Sequence, residues 1–250
     1  KAAHRAGPVL DRDLVKHQAA EFIRRYAQPR LRSWPELQRQ FDKEINPVIG
    51  GKKVQDVTKR DLIDLVEAIV DRGAPISANR VLATLSRFFG WLAERDVIAT
   101  SSAFGMKKPG KETARERVLA DDELAMVWQA AGRLGYPFGP AIRLLILTGS
   151  RRDEIFAARW AEIAFGNVLE WILPAARVKN GRDHVIPVTS EIRELLEGLP
   201  RIGPGDFVFT TTGHSPASGY ARAKRRIDSE IAGSRGGPLA HWTFHDLRRT

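Results

Sequence analysis

The chain has 250 residues, 43% of them hydrophobic, with 40 Lys and Arg against 30 Asp and Glu and a net charge of +10. That length fits two domains of ordinary size. The absence of cysteine excludes disulfides and thiolate chemistry, and the lack of any apolar run of about 18 residues excludes a helical membrane span. The basic excess is 22 against 15 over residues 1–116 and 18 against 15 over 117–250, so it belongs to both halves rather than to a tail. Such a surface suits a polyanion, and nucleic acid is the usual one.

Residues 10–30 read as an amphipathic helix, with Leu14, Ala19, Phe22, Ile23 and Tyr26 near helical spacing and Pro29 as its end. Trp34–Ile45 reads as a second helix, with Leu37, Phe41 and Ile45 four apart, broken by Asn46-Pro47 and Gly50-Gly51. Thr58-x-x-Asp61 has the spacing of a capping box for a third helix through Ile69. Ser77 is placed to cap a fourth, Ala78–Glu94, which buries Val81, Leu85, Phe88, Phe89 and Leu92. Four helices with short connections make a bundle. Ser101–Glu116, rich in Lys, Gly and Pro and poor in large apolar residues, reads as a linker.

A second domain opens near Val118. Asp121 is placed to cap a helix carrying Leu124, Val127 and Trp128, and Pro137–Leu147 reads as a buried helix. A Thr-Gly turn and a short helix to about Arg159 follow. Val168–Leu173 is β-rich, and Asn180-Gly181 between Ala176–Lys179 and Arg182–Val188 is the signal of a two-residue hairpin. Phe207-Val208-Phe209 reads as a further short strand and Ala217–Ile231 as a basic helix; Trp242 leads into a last helix entered through Thr243. The expected fold class is therefore mainly α with a small antiparallel β-sheet.

Three segments of the second domain carry chemistry: Thr148-Gly149-Ser150-Arg151-Arg152-Asp153-Glu154, Arg177-Val178-Lys179-Asn180-Gly181, and His245-Asp246-Leu247-Arg248-Arg249-Thr250. A His and an Arg three apart share one helix face. Breaking a phosphodiester requires that charge building on the phosphoryl oxygens be neutralised, that a nucleophile lie in line, and that the leaving oxygen receive a proton. Arginine binds phosphate through a planar fork and keeps its charge, which suits Arg151 and Arg248 to the first task. Lys179 at a rigid turn suits proton donation, and His245 suits donation or shuttling. Each residue also has a plain structural role open to it: Glu154 three residues on can simply pair with Arg151, and Lys179 beside an Asn-Gly turn can be merely solvated. No metal-ligand cluster, HExxH, EF-hand loop or P-loop is present in the sequence.

The order of these segments resembles the tyrosine recombinase (phage integrase) family, most closely integrases of prophages and genomic islands. The resemblance implies a helical core-binding domain over residues 1–100, a linker over 101–116, and an integrase-like catalytic domain over 117–250. It matches Arg151 and Arg248 to the two arginines on the scissile phosphate, Lys179 to the general acid, His245 to a proton donor or shuttle, and Glu154 to the acidic support of the first arginine. It implies a site-specific DNA recombinase working through a 3′-phosphotyrosine intermediate, without metal or other cofactor. The expected partners are double-stranded DNA and, for the full protein, three further copies in a homotetramer on DNA, with no membrane; the expected location is the bacterial cytoplasm, at the nucleoid. The family's nucleophilic Tyr follows the His-x-x-Arg box, whereas Tyr26, Tyr136 and Tyr220 all precede it. With a first residue Lys1, the chain is expected to be a fragment that does not cleave DNA through its own Tyr and to be mostly monomeric. Further DNA contacts are expected from Asn79, Arg80 and Arg87, from Lys107 and Lys108, and from Lys224, Arg225 and Arg226, the two domains closing around the duplex mainly through its phosphates. The alternatives are a catalytically inactive DNA-binding protein on the same scaffold and a type IB topoisomerase.

Overall fold

The computed structural model describes residues 11–113, 116–166, 170–178 and 180–250. The chain divides into two compact units, Lys1–Ala114 and Arg115–Thr250, each with its own apolar core. No described helix is long and apolar enough to cross a membrane.

The first unit is helical: α1 (Val15–Phe22), α2 (Gln28–Arg30), α3 (Trp34–Gln40), α4 (Asn46–Ile49), α5 (Lys59–Asp71) and α6 (Pro75–Ala93). The first run ends at Arg30, as expected, but the second does not break at Asn46-Pro47. Between α1 and α2 the chain makes a wide turn over Ile23–Ala27, where the Gln28 N–H donates to the Ile23 carbonyl five residues back. Between α3 and α4 the same turn over Phe41–Ile45 closes with the Asn46 N–H on the Phe41 carbonyl. Pro29 and Pro47 follow at once. In a regular helix a proline ring meets the carbonyl four residues back; the wider bond opens the helix where the ring enters, and the run continues to Arg30 and Ile49. Pro75 lies in the first turn of α6, where no helical partner awaits its missing N–H, so this helix starts before Ser77 rather than after it.

The capping box of α5 forms as its spacing predicts: the Thr58 N–H reaches Asp61 Oδ2 at 2.9 Å and the Asp61 N–H returns to Thr58 Oγ1 at 3.2 Å. Phe22 anchors the core, with ring centroids 6.0, 5.6 and 5.5 Å from Phe41, Phe88 and Trp91. Full burial of each such ring contributes about 1.5–3 kcal/mol.

Much of the expected linker is tied to this unit. The Ser102 hydroxyl donates to the Val57 carbonyl at 2.7 Å, and Ala103 is buried. Asn79 holds the backbone of Gly110 from both sides, donating to its carbonyl at 2.8 Å and accepting its N–H at 2.9 Å.

The second unit contains α7 (Asp121–Leu134), α8 (Phe138–Thr148), α9 (Arg152–Phe156), β1 (Ile163–Ala164), β2 (Glu170–Leu173), β3 (His184–Ile186), α10 (Ser190–Glu197), α11 (Tyr220–Arg235) and α12 (Phe244–Leu247). α7 and α8 pack closely because Gly139 has no side chain: a Cβ there would lie 2.3 Å from the Ala131 carbonyl oxygen. The strands form an antiparallel sheet in the order β1-β2-β3, with Trp171 opposite both Ile163 and Ile186. Trp171, Leu173 and Ile186 face the core, while the cross-strand pair Ile172 and Val185 faces solvent.

Three local expectations need correction. Asn180-Gly181 does not join two paired strands; the hairpin is β2–β3, and residues 174–183 connect it. Turn bonds from Arg177 N–H to the Pro174 carbonyl and from Val178 N–H to the Ala175 carbonyl fold the first part of this connection. Asp183 Oδ1 accepts the Ala175 N–H at 2.7 Å and closes it, so the Asn-Gly turn signal is absorbed into a longer loop. Phe207–Phe209 forms only a single bridge, Arg159 to Phe207, among the described residues. α10 was not expected; Thr189 caps it by accepting the Ile192 N–H at 3.4 Å, and Ile192 and Leu196 are its buried stripe.

Candidate active site

The turn after α8 places the first arginine. Gly149 closes that helix in the left-handed region, φ 58°, and its N–H donates to the Leu145 carbonyl; this is a conformation that glycine adopts without strain. The chain then extends, so Arg151 becomes the N-cap residue of α9. Its N–H donates to Glu154 Oε2 at 2.8 Å and its Nη1 to Glu154 Oε1 at 2.6 Å. Glu154 is 4% exposed and Arg151 38%, so the carboxylate is buried while the cation reaches solvent. Burial pushes the Glu154 carboxyl up, but the two donors on Arg151 and the charges of Arg151 and Arg248 outweigh it, and the net direction is down. Glu154 is therefore ionised at neutral pH and lies within the field of both arginines.

The second arginine and the histidine come from the chain's end. Thr243 caps α12 through Asp246, which accepts the Thr243 N–H at 2.8 Å and its hydroxyl at 3.0 Å. Phe244 and Leu247 anchor this short helix in the core, leaving His245 and Arg248 exposed. Thr250 ties its end down: its hydroxyl accepts the Leu119 N–H at 3.0 Å and donates to the Asp246 carbonyl at 3.0 Å. A cavity of about 600 Å³ has Arg151, Arg152, Lys224, Thr243 and His245 in its wall, over Tyr220, Trp242 and Phe244. Arg151 and His245 line this open, partly aromatic hollow, while its other cations, Arg152 and Lys224, pair with Asp153 and Asp228, which line it too. The described residues contain no group of His, Asp and Glu arranged to hold a metal.

Residues 117–250 match the phage integrase family and residues 16–108 match the phage integrase central domain. The chain belongs to the phage integrase family. It is 30% identical over 185 residues to the prophage integrase IntZ of Escherichia coli (strain K12), covering 68% of this chain and 42% of that protein. It is 24% identical over 219 residues to the integrase of Escherichia phage lambda, covering 82% of this chain and 58% of that one. The chain thus spans about half the length of these relatives. In structure it resembles a lambda integrase tetramer bound to a Holliday junction, TM-score 0.72 at 20% identity, over 94% of this chain and 71% of that chain. It also resembles the Tn1549 transposon integrase in complex with circular intermediate DNA, TM-score 0.68 at 17% identity, over 94% and 84%. At these identities the likeness establishes the integrase fold.

Within this integrase fold the expected residues fall into three groups. Arg151 and His245 line the cavity, Glu154 pairs with Arg151, and the charge of Arg248 acts on Glu154. Lys179 lies outside the described residues; its neighbour Val178 is buried and Asn180 is exposed. Among the expected DNA contacts, Arg80, Arg87, Lys107, Lys108, Arg225 and Arg226 are exposed. Asn79 is a correction: it is 2% exposed, and its amide is spent on Gly110 and on Glu112 Oε1 at 2.7 Å. It holds the 101–112 strap and has no surface left for DNA. Lys224 is another: its Nζ lies 2.6 Å from both oxygens of Asp228 and 3.9 Å from the centre of the Trp242 ring, so its charge is directed inward.

Arg152, beside Arg151, is engaged within the fold. It donates to Asp153 at 2.8 Å and lies over the Tyr220 ring at 4.7 Å. Arg177 was missed. Its guanidinium pairs with Glu162 and donates to the Glu154 carbonyl at 2.8 Å, binding the loop before Lys179 to the end of α9. Only the long-range partners identify it, and adjacency in sequence to Lys179 was the one available hint.

Proposed function

We propose that this chain is the core-binding and catalytic portion of a site-specific DNA recombinase that cuts and rejoins DNA through a 3′-phosphotyrosine intermediate. The observation that carries the reading is that Arg151 and Arg248, from segments a hundred residues apart, act on the same buried Glu154 while His245 lines the cavity that Arg151 opens into. Glu154 holds Arg151 by two bonds and leaves its remaining N–H groups for a phosphate. The two arginines bind the non-bridging oxygens and offset the charge that grows there. A tyrosine hydroxyl attacks phosphorus and passes its proton to His245 as the P–O5′ bond breaks, and the departing 5′ oxygen takes a proton from Lys179, with His245 as the shuttle that returns it. In the second half the 5′ hydroxyl of another strand attacks the phosphotyrosine, the proton returns, and the tyrosine leaves. One phosphoester replaces another at each step, so no nucleotide hydrolysis is needed.

The chain's own tyrosines are engaged elsewhere. Tyr26 stacks on Phe22 at 5.2 Å. The Tyr136 hydroxyl donates to the Val208 carbonyl and accepts the Thr210 N–H. The Tyr220 ring lies between Phe156 and Arg152. The reading assigns the attack to a tyrosine that these 250 residues do not include. Exposed cations on both units support binding along duplex phosphates, and the tetrameric lambda relative supports assembly as a homotetramer on DNA. The test uses the full-length gene product and a duplex selected from a random pool by its binding. Two labelled duplexes of that sequence are expected to exchange strands through a covalent 3′ adduct, and R151A and R248A to abolish the adduct. Plasmid relaxation without regard to sequence would mean a topoisomerase instead, and binding without any adduct would mean a DNA-binding protein.

A further inference from the structure

Lys224 and Asp228 are one helical turn apart on α11, in the cavity wall, and Trp242 is the residue before the cap of α12. The three interlock. Asp228 takes Lys224 Nζ on both oxygens at 2.6 Å and accepts the Trp242 Nε1–H at 3.1 Å. Lys224 in turn lies over the face of the same indole, 3.9 Å from its centre. Trp242 is 2% exposed, and the Lys224 side chain, at 17%, is well covered for a lysine while Asp228 is at 43%. The indole is thus held by two directional contacts, a hydrogen bond from its edge to a carboxylate and a cation over its face. The backbone leaving that ring enters Thr243, whose cap sets the direction of α12, and His245 is the second residue of the helix.

We propose that Lys224 and Asp228 are positioning residues for the His-x-x-Arg box: they lock Trp242 and thereby hold His245, and with it Arg248, at the phosphate site. This rests on the reading that the cavity takes a phosphate. Lys224 is then neither a surface DNA contact nor a direct phosphate ligand, although it faces the same hollow. A lysine needed only for charge on DNA would not spend it on a carboxylate at two contacts.

The test uses the 250-residue chain and inorganic phosphate, followed by NMR through the Cε1–H resonance of the His245 ring, which H245N identifies. K224M and D228A are each expected to weaken the phosphate-dependent shift of His245 by about tenfold in affinity, the size of effect seen when groups that orient a ligating residue are removed. K224R keeps a cation over the indole and is expected to retain it. Thermal midpoints of the same samples, with N79A as a variant destabilised in the other unit, separate positioning from loss of fold: N79A is expected to leave the His245 response unchanged. Tighter phosphate binding in D228A would show that a freed Lys224 binds the anion itself and would overturn the proposal, as would an unchanged response in both variants. If R151A and R248A leave the response unchanged, the cavity is not the phosphate site and the functional reading fails, whatever Lys224 does.

Discussion

Replacing Glu154 by Gln removes one charge and keeps the shape, so it isolates the electrostatics of the site. The carboxylate is 4% exposed and accepts two bonds from Arg151, at 2.8 and 2.6 Å, one of them from a charged group. Gln retains an acceptor for the Arg151 N–H but turns an NH₂ toward the guanidinium, donor against donor. Disrupting a fully buried ion pair costs about 3–5 kcal/mol. Here Arg151 is 38% exposed and water recovers part of its loss, which brings the expected cost to about 2–3 kcal/mol. In a unit of this size that lowers the midpoint by roughly 6–15 °C. The assay is hydrogen exchange with mass spectrometry across a urea series, because it reads each unit separately. E154Q is expected to lower protection in the second unit and leave α5 and α6 unchanged, and its DNA affinity is expected to fall because Arg151 is no longer oriented. A loss below about 0.5 kcal/mol would show that the pair is screened like a surface ion pair and would refute the argument that Glu154 holds Arg151.

The first unit carries an acid-sensitive cap. The side-chain bond from Lys52 and the backbone N–H of Thr58 hold the Asp61 carboxyl down to about 2. A lowered folded value means stability that is present above the unfolded value near 3.9 and is lost as pH falls toward 2; Glu36 is held down to about 2 as well, so circular dichroism melts between pH 5 and 2 are expected to show a smaller acid loss in D61N than in the wild type. N79A removes the bonds that hold Gly110 and Glu112, at a cost of about 2–3 kcal/mol, and proteolysis within 101–112 is expected to accelerate. R225A and R226A are each expected to reduce the slope of log affinity against log salt by about 1 on random duplex, measured by fluorescence anisotropy, and N79A is expected to leave the slope unchanged.

The helices of the first unit were legible because their burial stripes are long and regular, as in Val81, Leu85, Phe88 and Leu92 of α6. The end of the second was not, because the effect of Pro47 depends on which carbonyl the next N–H chooses, and the wide turn at Phe41–Ile45 carries the helix past it. Arg151, Glu154, His245 and Arg248 were legible because each lies in a short segment with its own turn or cap. Lys224 was misjudged and Arg177 missed for the same reason: a basic residue reads as surface until its partner is known, and Asp228 with Trp242, or Glu162 with the end of α9, is known only in three dimensions. Asn79 on a helix face looked available, but the 101–112 strap covers it. The Asn-Gly signal misled because Asp183 and Arg177 bind the connection into a longer loop.

The central claim is that Arg151, His245 and Arg248 serve one phosphate. A crystal of the chain grown with tungstate, a tetrahedral dianion located by its anomalous scattering, tests it most directly. The account expects one strong peak in the cavity between the guanidinium groups of Arg151 and Arg248, within hydrogen-bond reach of His245, lost in R248A. Tungstate bound only along the exposed arginines of α11, with the cavity empty, would contradict it.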